Sequence, residues 1–326
     1  MPILCLLLFW HLLFSAQAGD REEAAWVAAL GGRVERDASP RGHLIIGISL
    51  RGTWVTDSDL QALERLSGLA RLDLSLTRVT DQGMQRLKGL PHLRELNLYY
   101  AELITDEGLA ALKGWKHLER LNLRGTKVTD TGLSHLAAIP TLAALDVAFA
   151  QITDSGLEHL TVLANLRELA FGGNKLTDSA LHFLKLLPGL THLDLNGSQR
   201  TDSGLWSAAI TDQGLETIAF LKQLKSLNLG GTRITDLGLE KLQTLTNLQA
   251  LDLSRTQVSA KGLEKLRGLR KLEKLSLWKS GRVGDDAVPH LAAMKTLRWI
   301  DLAETAVTPA GVEALKKAHP SATVLR

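Results

Sequence analysis

Cysteine is nearly absent: the 326-residue chain has one, Cys5. A disulfide framework is therefore excluded, and stability must come from an extended core. Tyrosine is scarce too, with only Tyr99 and Tyr100, and aromatics make up 5% of residues. No charge dominates. The formal net charge is +3 and the basic residues are scattered, which excludes the basic footprint of a nucleic-acid binder. No nucleophile elbow, phosphate loop, metal-ligand spacing or cofactor motif occurs, so the residues give no basis for an enzyme. Long apolar runs are missing, apart from one at the start.

That run, Pro2 to Phe14, is followed by Ser15-Ala16-Gln17-Ala18. An apolar stretch ending in A-x-A has the form of a secretory signal, with cleavage expected after Ala18. It lacks Lys and Arg in the leading segment. It is too short to span a bilayer comfortably, so no integral membrane span is expected after cleavage. The localisation expected is secreted or periplasmic. Cys5 falls inside this segment.

What is abundant is repetition. Leu118, Leu121, Leu123, Thr126, Val128, Thr129, Asp130, Gly132, Leu133 and Leu136 return 24 residues later as Leu142, Leu145, Val147, Ile152, Thr153, Asp154, Gly156, Leu157 and Leu160. About eleven copies run from Ile45 to the C-terminus. A fixed period in the range of roughly 20–50 residues specifies a solenoid, in which each unit packs only on its neighbours. In each copy two leucines alternate with polar residues, as Leu121 and Leu123 do with Arg120, Asn122 and Arg124. Period two predicts a short strand. Leu133, Leu136 and Ile139 then mark one stripe of a short helix. Thr129 is its expected N-cap and Asp130 suits the helix dipole. The recurring glycine (Gly83, Gly108, Gly132, Gly156, Gly238, Gly262, Gly311), replaced by Ala180 and Ala287, suggests close approach between neighbouring turns. Strands pair about 4.8 Å apart and helices need roughly 8–10 Å, so the stack must bend with its strands inside. The expected fold is an α/β solenoid: a right-handed horseshoe with a parallel concave sheet and convex helices.

Its L-x-x-L-x-L-x-x-T-x-V-T-D-x-G-L-x-x-L pattern resembles the leucine-rich-repeat family. It is closest to the cysteine-containing subclass known from F-box proteins and to bacterial secreted leucine-rich-repeat proteins. The resemblance covers most of the chain and implies a binding scaffold. The chain departs from the subclass at the ninth position, where Thr53, Thr77, Thr126, Thr232, Thr256, Thr305, Ser198, Ser280 and Asn174 replace cysteine. A hydroxyl or amide there can bond the turn backbone. No F-box-like segment precedes the repeats, which counts against an intracellular adaptor or effector of the F-box-like type, a further alternative.

Residues 1–18 are thus assigned to a signal peptide, 19–42 to an N-terminal cap and 43–326 to the solenoid. In the cap, Glu22 to Leu30 is expected to form a helix with Ala25, Trp26 and Leu30 inward, ended by Gly31-Gly32. A last strand is expected at Ala322 to Leu325.

Departures from the repeat mark candidate binding residues. Tyr99 and Tyr100 leave one strand, and Phe149 takes the equivalent place two repeats on, with Arg120 and Arg124 between. Tyr and Arg are common in binding hot spots. The ninth-position hydroxyl is lost in these two repeats, at Ala101 and Ala150. Tyr99 is expected to be exposed; Tyr100 and Phe149 either point outward or fill the space the alanines leave. Trp278, Lys279 and Trp299 form a second candidate group. A ten-residue insertion near 199–209 carries Trp206 as a rim-loop candidate, with Ile210 resuming the solenoid. The Asp/Asn column Asp73, Asn97, Asn122, Asp146, Asp194, Asn228, Asp252 and Asp301 is read as a regular feature of the repeat rather than a cation track. Trp115, in a leucine position, is expected in the core, and the histidines are not spaced as chelators. The expected ligand is a protein or peptide on the concave face. The tryptophans and the Asp/Asn column also suit sugar faces and hydroxyls, so a glycan or cell-envelope ligand is the alternative.

Overall fold

The computed structural model describes residues 21–38, 44–66, 68–90, 92–201, 204–207 and 209–326, with the main chain alone for 198–207. The expected signal segment lies outside these residues. The chain divides into two compact units, Met1–Ala143 and Ala144–Arg326.

In the first unit, β1 (Arg33–Arg36) runs antiparallel to β2 (Ile45–Ser49). Parallel pairing then joins β2 to β3 (Arg71–Asp73), β4 (Glu95–Asn97) and β5 (Arg120–Asn122). In the second unit β6 (Ala144–Asp146), β7 (Glu168–Ala170) and β8 (His192–Asp194) are followed by a hairpin, β9 (Ser198–Thr201) with β10 (Gly204–Ser207). The parallel sheet resumes with β11 (Ser226–Asn228), β12 (Ala250–Asp252), β13 (Lys274–Ser276), β14 (Trp299–Asp301) and β15 (Thr323–Leu325). Each unit is an α/β leucine-rich-repeat solenoid, with one strand and one helical segment per repeat.

The alternation places the leucines as expected. Leu118, Leu121, Leu123, Val128, Leu133, Leu136 and Ile139 are each at most 2% exposed. Burying such a side chain stabilises by roughly 2 kcal/mol. Trp115 is buried in the same layer.

The N-terminal cap departs from expectation. Residues 21–29 are helical, but Glu23 and Val27 face inward while Ala25 is exposed and Trp26 and Leu30 are half-buried. Glu23 and Val27 are four apart and share one helix face; the spacing of Ala25, Trp26 and Leu30 does not override it. The antiparallel β1, which covers the edge of β2, was not legible in the sequence.

The T-D step joins one repeat to the next. Thr80, Thr105, Thr129, Thr211, Thr235 and Ser259 cap helices that begin one residue later, accepting a backbone N–H on their hydroxyls. Each also donates backward. Asp81 receives the Thr105 N–H (2.9 Å) and hydroxyl (2.6 Å). Asp212 receives those of Thr235 (2.8 and 2.5 Å), and Asp236 those of Ser259 (2.7 and 2.6 Å). The aspartate therefore does more than complement a dipole: it ties its own helix start to the cap of the following repeat.

This ladder explains the glycine. A Cβ on Gly83, Gly108, Gly132, Gly214, Gly238, Gly262 or Gly311 would collide with the aspartate carboxylate of the preceding repeat. Helical form follows the same residue. Repeats with this glycine open in an α-helix, such as Asp81–Arg86, Asp106–Ala110, Asp212–Ile218 and Asp236–Leu242. Where Asp59, Ala180 or Ala287 stands there, the first turn is a 3-10 helix: Asp59–Arg65, Ala180–Leu186 and Asp285–Ala287. The short helix expected in every repeat is thus 3-10 in the described repeats that lack this glycine.

The insertion is a hairpin rather than an irregular loop. Its register pairs Gly204 with Thr201 and Ser207 with Ser198. Ile210 is fully buried, and Thr211 donates to Asp178 across the insertion.

Candidate functional site at the strand exits

Strands that carry Asp or Asn between their two inward residues end in the same turn. The Asp/Asn side chain between the two inward residues accepts the N–H two residues on: Asp73 from Ser75 (2.9 Å), Asn97 from Tyr99 (3.1 Å), Asp146 from Ala148 (2.9 Å), Asp252 from Ser254 (2.8 Å) and Asp301 from Ala303 (2.9 Å). The column is thus a set of side-chain-closed turns. Among the described residues no group of three His, Cys, Asp or Glu is placed to hold a metal.

The ninth-position hydroxyl closes the turn from the other side, as Thr126 does on the Leu123 carbonyl at 2.6 Å. Ala150 cannot do so. Asn174 of the next repeat compensates: its Nδ2 donates to the Val147 carbonyl at 2.7 Å, and its Oδ1 accepts the Ile152 N–H at 3.1 Å.

The residue before the ninth position is left-handed in repeat after repeat. Gly52, Gly125, Gly173, Gly197 and Gly231 supply it with φ between 66° and 105°. Leu76, Tyr100, Phe149, Arg255, Lys279 and Glu304 adopt it too, with φ between 50° and 58°. For a residue with a Cβ this conformation costs about 1–2 kcal/mol. Three expected site residues, Tyr100, Phe149 and Lys279, therefore share one strained position.

In the first unit the Tyr100 ring lies across Gly125 of the next repeat, where an added Cβ would meet it. It does not turn inward, and Ala101 is buried without it. Tyr99, expected to be exposed, is half-buried. It packs edge-on against Tyr100, with ring centroids 4.7 Å apart at 64°, and lies under Arg51, whose guanidinium carbon is 5.5 Å from its centroid. Arg51 also donates to the Ser75 hydroxyl at 2.9 Å. Arg124 is half-buried at the next strand exit. Arg120 is exposed one turn back, opposite Glu95 in the strand register. It continues a row of alternating charge from the Glu35–Arg71 ion pair. Glu35 holds the Arg71 guanidinium above its ordinary pKa through their hydrogen bond. Arg120 is therefore apart from the tyrosines.

In the second unit Phe149 is half-buried over Gly173 and reaches Gly197. Trp278 lies between cations: Arg255 and Lys279 each have their charged group 4.5 Å from its centroid. Its Nε1 donates to Glu304 at 3.1 Å, and the other Glu304 oxygen pairs with Lys279 at 3.2 Å. Trp299 does not join this group. It is aligned with Lys274, four residues before Trp278, or roughly 13 Å back along the strand. Both tryptophans are half-buried, and the expected group is reduced to Trp278 and Lys279. Trp206 lies in β10, opposite Gln199 in the hairpin register.

Arg51, Arg255 and Glu304 were missed because neither charge nor polarity distinguishes them from other surface residues. The available signal was their place: strand-exit positions beside an aromatic. Trp54, 80% exposed just after the first such turn, was also missed. The His92 and His117 rings are neighbours, tilted by 31° with centroids 6.0 Å apart. Among the described residues no helix is long and apolar enough to cross a membrane.

Family models described as leucine rich repeat match residues 222–279, and residues 89–113, 116–137 and 138–160. No curated protein matches the chain. Among solved structures, an internalin of Listeria monocytogenes is similar in fold, with a TM-score of 0.63 and 19% identity over 94% of each chain. A second internalin of that organism is 25% identical over 72% of this chain and 80% of its own, with a TM-score of 0.45. The chain is a leucine-rich-repeat protein, and it resembles bacterial leucine-rich-repeat proteins in fold.

Proposed function

We propose that the chain is a non-enzymatic, secreted or periplasmic scaffold that binds a protein or peptide at its strand exits. One observation carries this reading. Leu76, Tyr100, Phe149, Arg255, Lys279 and Glu304 hold left-handed conformations that glycine adopts freely in sister repeats. Strain kept where a strain-free residue is available points to side chains retained for function. Aromatic and Arg side chains at such positions match the composition of binding hot spots. Rigid turns, closed by an Asp/Asn side chain before all of these except Lys279, hold those side chains ready and lower the ordering cost of binding. The secretory reading rests on Pro2 to Ala18, the proposed signal peptide; residues 19–42 form its cap and 43–326 its repeat array.

The test is capture of partners by the mature protein, quantified by mass spectrometry. Wild type is compared with Tyr99→Ala/Tyr100→Gly and with Trp278→Ala/Lys279→Gly. A partner lost with one variant, whose melting temperature is not lowered, supports the reading. A partner retained by both excludes the strand exits.

A further inference from the structure

We propose that Arg255, Trp278 and Lys279 form a platform for the carboxylate side chains of an acidic segment on a partner protein. The inference rests on the protein-binding reading above and adds the chemistry of the partner.

The platform is built before anything binds. Glu304 fixes the Trp278 indole through Nε1 and neutralises Lys279 with its other oxygen. Arg255 remains. It is exposed, its guanidinium stacks on the indole, and among the described residues it has no ion pair. A stacked guanidinium keeps its in-plane N–H groups available, and these match a carboxylate bidentately.

Nearby carboxylates are committed elsewhere. Asp252 and Asp301 each hold the amide two residues on. The strand between them carries Ser276, not an acid, and its hydroxyl bonds Ser254 at 2.8 Å. Within the platform itself two cations face the single carboxylate of Glu304, a balance that suits a singly charged carboxylate better than a doubly charged phosphate. Neither cation is required by the turn, since Gly231 serves the same place one repeat before Arg255 at φ 74°.

The test uses fluorescein-labelled hexaglutamate and fluorescence anisotropy with the full chain at low ionic strength. Arg255→Gln and Lys279→Gln should each weaken binding, Arg255→Gln by about tenfold, the scale of a lost charge-assisted pair. Glu304→Gln removes a competing carboxylate and should tighten binding. Lys316→Gln/Lys317→Gln, on the last helix, should leave it unchanged. Absence of saturable binding, equal loss in the Lys316/Lys317 variant, or weaker binding by Glu304→Gln would each overturn the proposal. If hexaglutamate fails but a captured protein still depends on Trp278, the protein-binding reading stands and the acidic chemistry falls.

Discussion

Gly238→Ala isolates the ladder between repeats, because two effects of known size oppose each other. In an ordinary helix interior the change would stabilise by about 0.5–1 kcal/mol. Here the new Cβ meets the Asp212 carboxylate and comes within 2.8 Å of Leu215 Cδ1. Asp212 cannot retreat without loosening its bonds to the Thr235 N–H and hydroxyl. Hydrogen bonds to a charged group contribute roughly 1.5–3 kcal/mol each. Partial loss of the pair, less the helical gain, gives a net destabilisation of about 1–3 kcal/mol. At roughly 2–4 °C per kcal/mol for a unit of this size, the melting temperature should fall by several degrees. Differential scanning calorimetry measures the fall, and amide exchange at Thr235 should accelerate. A double-mutant cycle with Asp212→Ala locates the cause: with the carboxylate gone, most of the alanine penalty should vanish. A neutral or stabilising Gly238→Ala would refute the steric explanation of the repeated glycine.

Other outcomes follow from the same geometry. Tyr100→Gly and Lys279→Gly should each raise stability by up to about 1 kcal/mol through relief of left-handed strain, read by urea denaturation, while partner capture falls. Asn174→Ala leaves the Val147 carbonyl and Ile152 amide without side-chain partners inside the core and should cost about 2–4 kcal/mol by thermal melt. Asp285 has its pKa lowered by the Thr308 amide and hydroxyl. A carboxylate depressed on folding stabilises above its unfolded pKa of about 4, and the contribution fades as pH falls through the folded value. Asp285→Asn should therefore lower stability at neutral pH and flatten its dependence as pH falls below the unfolded value, as followed by circular dichroism.

The regular parts of this fold were legible because each repeats a local rule. Leu121 and Leu123 specify a strand by period two, Thr129 a helix cap, and Thr126 a bond to its own turn. Contacts that cross repeats were not legible. Nothing in Asp212 itself says that it will hold Thr235 rather than complement a helix dipole. The glycine was read as a close approach, but the atom approached became clear only when the aspartate was placed. Tyr99 was read as exposed because an outward strand position usually is, and Arg51, two repeats away, covers it. Trp278 and Trp299 were grouped as outward strand positions of adjacent repeats. The register sets them about four residues apart on adjacent strands, because Trp278 follows Leu275 by three residues while Trp299 precedes its partner Ile300 by one. At the N-terminus Ala25, Trp26 and Leu30 looked like a buried face, yet Glu23 and Val27 form it, beside a strand that has no leucine pattern.

The most direct test of binding at the strand exits is hydrogen exchange on the chain with and without its captured partner. Protection is expected at segments 97–101, 253–256 or 276–280, where the left-handed side chains leave the sheet. Protection confined to the helices, with these turns exchanging as fast as in the free protein, would contradict it.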